Sequence, residues 1–381
     1  MRLLLLVTVA LIFSIGLVMV FDTSSAEVLD KNLNRSLYYA LFRQIAYGVI
    51  GVLLASLVWR IGYDHLLKFS PYLLLFGIFF LLLVFIPKIG HPRNGAYRWL
   101  GIGNFTFQPS ELIKYLVPMS FIEWALAHQQ TKKPITFFAF CKILAFLAVP
   151  MFLVMIEPDN GAAAVIGASL VPLFFITKVK VRYWAIPISV LMCLGAFAAF
   201  QLPYVRGRID VYLHPEKDVK GKGHQAYQAK IAAGSGHLLG RGPGGSLQKL
   251  TYLPEAQNDY IAAIFAEEFG FLGMGVLISL YMLFACAGFA IAMRSKSDGG
   301  CYLAMAITFL ISLQAFLNLG VVSGLLPSKG VNLPFFSQGG TSLVTNIIGL
   351  VILLNVSYDE KTCDLKCRRD RGTPLPSKSR S

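Results

Sequence analysis

The stretch "YIAAIFAEEFGFLGMGVLISLYMLFACAGFAIA", residues 260–292, decides what kind of chain this is. Glu267 and Glu268 are its only charges. The remainder is apolar for longer than the ~20 residues a helix needs to cross a hydrocarbon core. That length predicts a helix that tilts or includes an interfacial turn. Nine further apolar runs lie at 2–21, 37–59, 69–87, 112–128, 136–156, 160–177, 183–203, 301–325 and 341–357. The run at 2–21 exceeds the apolar core of a leader peptide and opens a chain full of its like, so it reads as a span. Of the 381 residues, 56% are hydrophobic and 14% charged. The expectation is an all-α polytopic membrane protein of about ten transmembrane helices.

An even number of spans puts both termini on one side. The short connections on that side carry Arg60, Lys68, Lys132, Lys133, Lys178, Lys180, Arg182, Arg294 and Lys296. Basic loops stay inside, so both termini are expected to be cytoplasmic. Residues 1–357 then form the membrane domain. Residues 358–381 form a basic tail without structure of its own, suited to lipid or partner surfaces. The opposite side receives a segment at 88–111 and a large extracytoplasmic loop, 204–259, between helices 7 and 8. The net charge of +14 belongs to this topology and to anionic lipid or phosphate. No basic patch interleaved with aromatics supports nucleic-acid binding. The six cysteines avoid the outer segments, which argues against a disulfide framework, and Cys363 and Cys367 lack a histidine partner for zinc.

Four polar stretches fall on the outer side. In "NGAYRWLGIGNFTFQPSELIK", residues 94–114, Arg98 and Trp99 suit headgroup depth, where a guanidinium can fork onto phosphate. Pro109, Ser110 and Glu111 look like a helix start, with Lys114 one turn on. A belt of interfacial anchors explains this stretch as well as a ligand site does. In "EPDNG", 157–161, Asp159 or Asn160 is expected to cap the next helix. The long loop is basic before its acidic end, with Arg241 and Lys249 among its cations. Its "AAGSGHLLGRGPGG", 232–245, lets backbone amides approach an anion but is no Walker loop. A solvated basic loop is the plainer alternative. "GLLPSKGVNLPFFSQGGTS", 324–342, is broken by Pro and Gly and reads as re-entrant; such backbone is tolerated only where it is buried or lines a cavity.

These elements surround a helix mouth bearing Asp259, which suggests a site for a phosphate-bearing amphiphile entering from the outer leaflet. On a continuous helix Glu267 lies about 12 Å below Asp259, and Glu267 and Glu268 are about 100° apart around the axis. They are expected to serve as packing or ion-pair groups without sharing one role. Glu255 is read as a cap or supporting group.

Four motifs, in this order and spacing, resemble those of the SEDS family (shape, elongation, division and sporulation). They are "NGAYRWLGIGNFTFQPSELIK", "EPDNGAA", "IAAGSGHLLGRGPGGSLQKLTYLPEAQNDYIAAIFAEEFGFLG" and "LPFFSQGGTSL". "SSAEV", "VFIPKIGHPRNGAYRW" and "GLLPSKGVNLPFFSQGG" resemble the division (FtsW-like) branch more than the elongation (RodA-like) branch. The resemblance implies a ten-helix peptidoglycan glycosyltransferase that polymerises lipid II, a disaccharide-peptide on undecaprenyl diphosphate. It implies a site at the outer face of the bacterial cytoplasmic (inner) membrane, with a class B penicillin-binding protein and other division proteins as partners. The family's essential acid falls on Asp259, and its Arg-Trp pair on Arg98 and Trp99. Gln108, Ser110, Glu111, Lys114, Asp159, Arg241, Lys249, Ser337, Gly339 and Gly340 are the further substrate-binding candidates. The chain departs at Asn258 and Tyr260, where Thr and Phe are usual, and at Gln338, where Tyr is common.

The implied chemistry needs one carboxylate to take a proton from a sugar hydroxyl and cations to receive a diphosphate leaving group. No cofactor is certain; a divalent cation (Mg or Mn) is an alternative holder of the diphosphate. Two rival functions use the same residues differently. A lipid II flippase needs a comparable charged route on the cytoplasmic side, where no such motif cluster is found, and a non-catalytic divisome scaffold needs no Asp259.

Overall fold

A computed structural model describes residues 1–31, 36–86, 89–93, 96–102, 105–201, 224–250, 253, 256–327 and 330–370. Its elements in order are α1 (Arg2–Lys31), α2 (Tyr39–Ile61), α3 (Tyr63–Val84), β1 (Gly90–Arg93), β2 (Ala96–Ile102), β3 (Phe105–Phe107) and α4 (Pro109–Gln130). There follow α5 (Phe137–Ile156), α6 (Asn160–Ile176), α7 (Val181–Gln201), α8 (His224–Ser235), α9 (Ile261–Arg294), α10 (Asp298–Val322) and α11 (Gly340–Asp370). Glu255, the turn at 94–95 and much of the loop 204–259 lie outside the described residues.

Among the described residues, seven helices (α1, α2, α3, α5, α9, α10 and α11) are long and apolar enough to cross a membrane. This is a multi-pass membrane architecture, with fewer spans passing that test than the ten read from the sequence. Helix α6 is apolar but has only 17 residues. Helix α4 carries Ser110, Glu111, Lys114 and Ser120, all buried by its neighbours. A helix enclosed by protein can hold polar groups that lipid would reject, so hydropathy alone understates it.

Local chemistry sets the helix starts. The Thr136 hydroxyl accepts from the Ala139 amide at 3.3 Å before α5, and Ser297 accepts from Gly300 at 3.0 Å before α10. The sheet in the 88–111 segment was not anticipated by an all-helical reading. Its order is β1-β2-β3, antiparallel, with Leu100 opposite Phe107. It delivers the chain into α4 with Gln108 at the cap position and Pro109 in the first turn, where a missing N–H costs nothing.

Helix α9 is broken at Gly270, whose φ of 64° and ψ of −162° only glycine adopts at ease. The upstream loop mends the break. The Arg241 and Gly242 amides donate to the Glu267 and Glu268 carbonyls, each at 3.0 Å. Coming the other way, the Phe271 and Leu272 amides donate to the His237 and Leu238 carbonyls at 2.9 and 3.2 Å. Backbone groups are thus paired across the interruption, the condition for non-helical backbone inside a membrane protein. The depth reckoned on a continuous helix does not carry over, because Asp259 lies ahead of the helix, which begins at Ile261.

The 331–337 part of the re-entrant segment is drawn inward. Phe335 and Phe336 belong to the core, Phe336 sits edge-on to Phe265 at 5.6 Å, and the Tyr281 hydroxyl donates to the Pro334 carbonyl at 2.6 Å. Phe335 takes a positive φ of 64°, a strained backbone that this surrounding contact holds in place. Helix α11 runs on as helix to Asp370, past the boundary at 357 drawn from the sequence.

Candidate functional site

A cavity of about 350 Å³ opens where β2, β3, the start of α4, the start of α6 and the 330–342 segment meet. Arg98, Trp99, Gln108, Glu111, Lys114, Asp159, Asp259, Gly339 and Gly340 all line it. The structure therefore brings most of the sequence-selected residues together, although they are spread from 98 to 340 along the chain.

The wall from 98 to 162 is a hydrogen-bonded network. Arg98, on β2, donates through Nε to the Glu157 carbonyl at 2.9 Å and through Nη2 to the Pro158 carbonyl at 2.6 Å, fixing the turn between α5 and α6. Asp159 then caps α6, its Oδ1 accepting from the Ala162 amide at 3.1 Å. Its Oδ2 accepts from Gln108 Nε2 at 3.1 Å and from the Ser110 hydroxyl at 3.4 Å. Ser110 does not line the cavity; it serves Asp159 from behind. Lys114 Nζ pairs with Glu111 Oε2 at 2.6 Å, both deeply buried, so the ammonium enters the cavity with its counter-charge beside it.

Burial raises the Asp159 carboxyl pKa, against the opposing pull of Arg98. It pushes Glu157 to about 8, with Asp159 adding to the rise and Arg98 opposing it. Both Glu157 carboxyl oxygens are buried without a hydrogen-bond partner among the described residues.

Asp259 stands just before α9. Its Oδ2 would lie 2.9 Å from a Cβ placed on Gly330, so the absence of a side chain at 330 makes room for the carboxylate. The Asn318 carboxamide donates from Nδ2 to the Asp259 carbonyl and to the Val331 carbonyl, each at 2.8 Å. Ser337 is buried behind the wall, its hydroxyl accepting from the Leu333 amide at 2.9 Å and its carbonyl from Gln44 Nε2 at 3.1 Å.

Arg241 and Lys249 are not brought into this cavity. Lys249 Nζ contacts Asp22 Oδ1 at 2.7 Å and Glu268 Oε1 at 2.8 Å, and Arg241 lies 3.6 Å from Glu267. Glu267 also accepts from the Ser246 hydroxyl at 2.5 Å and from the Leu247 and Gln248 amides at 3.2 and 3.3 Å. Glu268 accepts from the Ser246 amide at 3.3 Å. Both glutamates thus clasp one loop, so they share a task despite their different bearings on the helix. Burial alone would lower the Lys249 pKa, but its bonds to Asp22 and Glu268 outweigh that and raise it.

The sequence reading passed over Arg43, Gln44 and Tyr47 on α2 and Gln314 on α10, which also line the cavity. Arg43 donates to the Thr106 hydroxyl at 3.2 Å and lies 5.7 Å from the Tyr47 ring centre. The usable signal was polarity inside apolar runs, since Arg43 and Gln44 fall in 37–59 and Gln314 and Asn318 in 301–325. The cavity is balanced and not simply basic: Arg43, Arg98 and Lys114 face Glu111, Asp159 and Asp259. No three His, Cys, Asp or Glu side chains converge as metal ligands among the described residues. Such an arrangement can hold a polar or anionic group and abstract a proton.

Comparison with known proteins agrees with this picture. Residues 2–362 match the family model for cell cycle proteins of the FtsW, RodA and SpoVE type. The chain is 38% identical over 361 residues to a probable peptidoglycan glycosyltransferase FtsW of Nitrosomonas europaea, covering 94% of this chain and 93% of that one. It is 38% identical over 352 residues to a protein of the same description from Thioalkalivibrio sulfidiphilus, covering 92% and 87%. A chain from a solved peptidoglycan synthase complex has the same fold, with a TM-score of 0.76 at 24% identity, covering 93% of this chain and 97% of that one. With its motifs, its helical bundle and its cavity accounted for by one family, the chain belongs to the FtsW/RodA/SpoVE family of cell cycle proteins.

Proposed function

We propose that this protein is a peptidoglycan glycosyltransferase that polymerises lipid II at the outer face of the bacterial cytoplasmic membrane during cell division. The observation that carries the reading is the convergence of Asp259 with Arg98 and the Glu111–Lys114 pair in one cavity of a multi-pass bundle. Relatives covering nearly the whole chain are named for that activity, which supports it.

In the proposed step an acceptor sugar hydroxyl attacks the anomeric carbon of the donor sugar. The C–O bond to the lipid diphosphate breaks, and the diphosphate leaves with the bonding electron pair. Asp259 accepts the hydroxyl proton as the new glycosidic bond forms. The leaving group is already anionic, so it requires positive charge and no proton donor. Arg98, Lys114 and Arg43 line the cavity and would supply that charge. This is unlike a glycosidase, whose two carboxylates divide acid and base work. Among the described residues no three His, Cys, Asp or Glu side chains gather as a divalent-metal site. Gln108, Ser110, Asp159, Gly339 and Gly340 shape the pocket. Arg241, Lys249, Glu267 and Glu268 secure the loop that leads to Asp259.

A class B penicillin-binding protein would be the partner that crosslinks the product; a chain of a solved peptidoglycan synthase complex with this fold supports that reading. The test is purified protein with that partner, fed lipid II and scored for glycan polymer. Polymer that disappears with Asp259→Ala supports the enzyme. Translocated lipid without polymer identifies a flippase, and neither product leaves the scaffold.

A further inference from the structure

We infer that Asn318 is a positioning residue for the glycosyl transfer. Its side-chain amide ties the segment carrying Asp259 to the re-entrant 330s segment and thereby sets where the Asp259 carboxylate stands. This deepens the proposed function and rests on Asp259 being the base.

Asn318 lies near the end of α10 and is 2% exposed. Its Nδ2 donates twice, to the Asp259 carbonyl and the Val331 carbonyl, at 2.8 Å each. Two carbonyl acceptors on one nitrogen settle the orientation of the amide, because an oxygen there would face two oxygens. The joined strands meet again on either side of this bridge. The Gln338 amide donates to the Gln257 carbonyl at 3.0 Å, and Gly330 leaves the gap occupied by Asp259 Oδ2. Asp259 sits ahead of α9, within a turn over 256–260. Asn318 adds to that turn a tie from a third element.

A structural polar group normally satisfies all of its atoms when buried. Asn318 Oδ1 is buried without a hydrogen-bond partner among the described residues, and both of the side chain's bonds come from its donor. Gln314, one turn earlier on the same face of α10, lines the cavity itself. The helix therefore presents one amide to the cavity and a second to the backbone that carries the base. A carboxylate displaced by about 1 Å from its reacting hydroxyl loses on the order of 100-fold in rate.

The test uses the full-length protein with its penicillin-binding partner and compares Asn318→Ala, Asn318→Asp, Asp259→Ala and the control Gln129→Ala. Gln129 makes an amide contact to Tyr302 elsewhere on α10, at 3.1 Å. The expected result is a fall in kcat of about 100-fold for both Asn318 variants, with KM for lipid II within about twofold of wild type. Hydrogen exchange at 256–260 and 330–336 should quicken together in both, while Gln129→Ala retains wild-type kcat. The inference is overturned if either Asn318 variant keeps kcat within threefold of wild type. It is equally overturned if the rate loss only follows a loss of folded protein or a rise in KM, or if the two segments do not loosen together. Activity surviving in Asp259→Ala refutes the base itself, a separate failure that this arm identifies.

Discussion

Replacing Lys249 by Met should destabilise the bundle far more than a surface cation would. The side chain is 6% exposed and bridges Asp22 on α1 to Glu268 on α9, at 2.7 and 2.8 Å. Removing it leaves two carboxylates facing each other, one of them 1% exposed, with no counter-charge between them. Breaking a buried pair in this way costs about 3–5 kcal/mol, most of it the price of the stranded charges. The loss should therefore be recoverable without restoring the cation. Asp22→Asn and Glu268→Gln, added to Lys249→Met, should return at least half of it, because neutral amides tolerate burial that carboxylates do not. The assay is equilibrium unfolding in detergent, completed as a mutant cycle so that the coupling is measured directly. A single-variant loss below about 1 kcal/mol, as for an exposed pair, would refute the reasoning. So would a triple variant no more stable than Lys249→Met alone.

Gly330→Ala would place a Cβ 2.9 Å from Asp259 Oδ2 and should reduce polymerisation at least tenfold, with unfolding little changed. Glu157 holds its proton to about pH 8 when folded, against about 4.5 otherwise, so the stability it confers is full below the lower value and is lost as pH rises through the upper one. Thermal unfolding should show wild type weakening from about pH 5 to pH 8, and Glu157→Gln losing that slope. Lys114→Met strands the buried Glu111 and should cost both stability and activity. Adding Glu111→Gln should recover the stability in an unfolding assay and leave polymerisation lost, separating the structural from the catalytic use of the ammonium.

The membrane class, the helix order and the residues that gather around the cavity were legible because each rests on a strong local signal. Apolar runs announce spans, and polar clusters at their mouths announce a site. What escaped depended on partners distant in sequence. Nothing around Lys249 indicates that Asp22 waits beside it, so it was grouped with the solvated loop cations and the anion-binding candidates. Arg43, Gln44 and Asn318 were masked by the apolar average of their own helices. The sheet at 90–107 alternates poorly, with Gly and Pro inside it, and its strands are too short to register against helical neighbours. The length of the run allows for a turn, but its position at Gly270 is invisible because a glycine within an apolar run carries no mark of the φ it adopts.

That break has a consequence for synthesis. The carbonyls and amides that complete α9 at Gly270 come from residues 237–242, which leave the ribosome before the helix they mend. An uninterrupted span can enter a bilayer complete in itself, whereas this one finishes its hydrogen bonding only against a segment delivered earlier. Translation from the N-terminus provides that order at no cost. A circular permutant that began within α9 would reverse it, sending the broken helix into the membrane before the backbone that closes it.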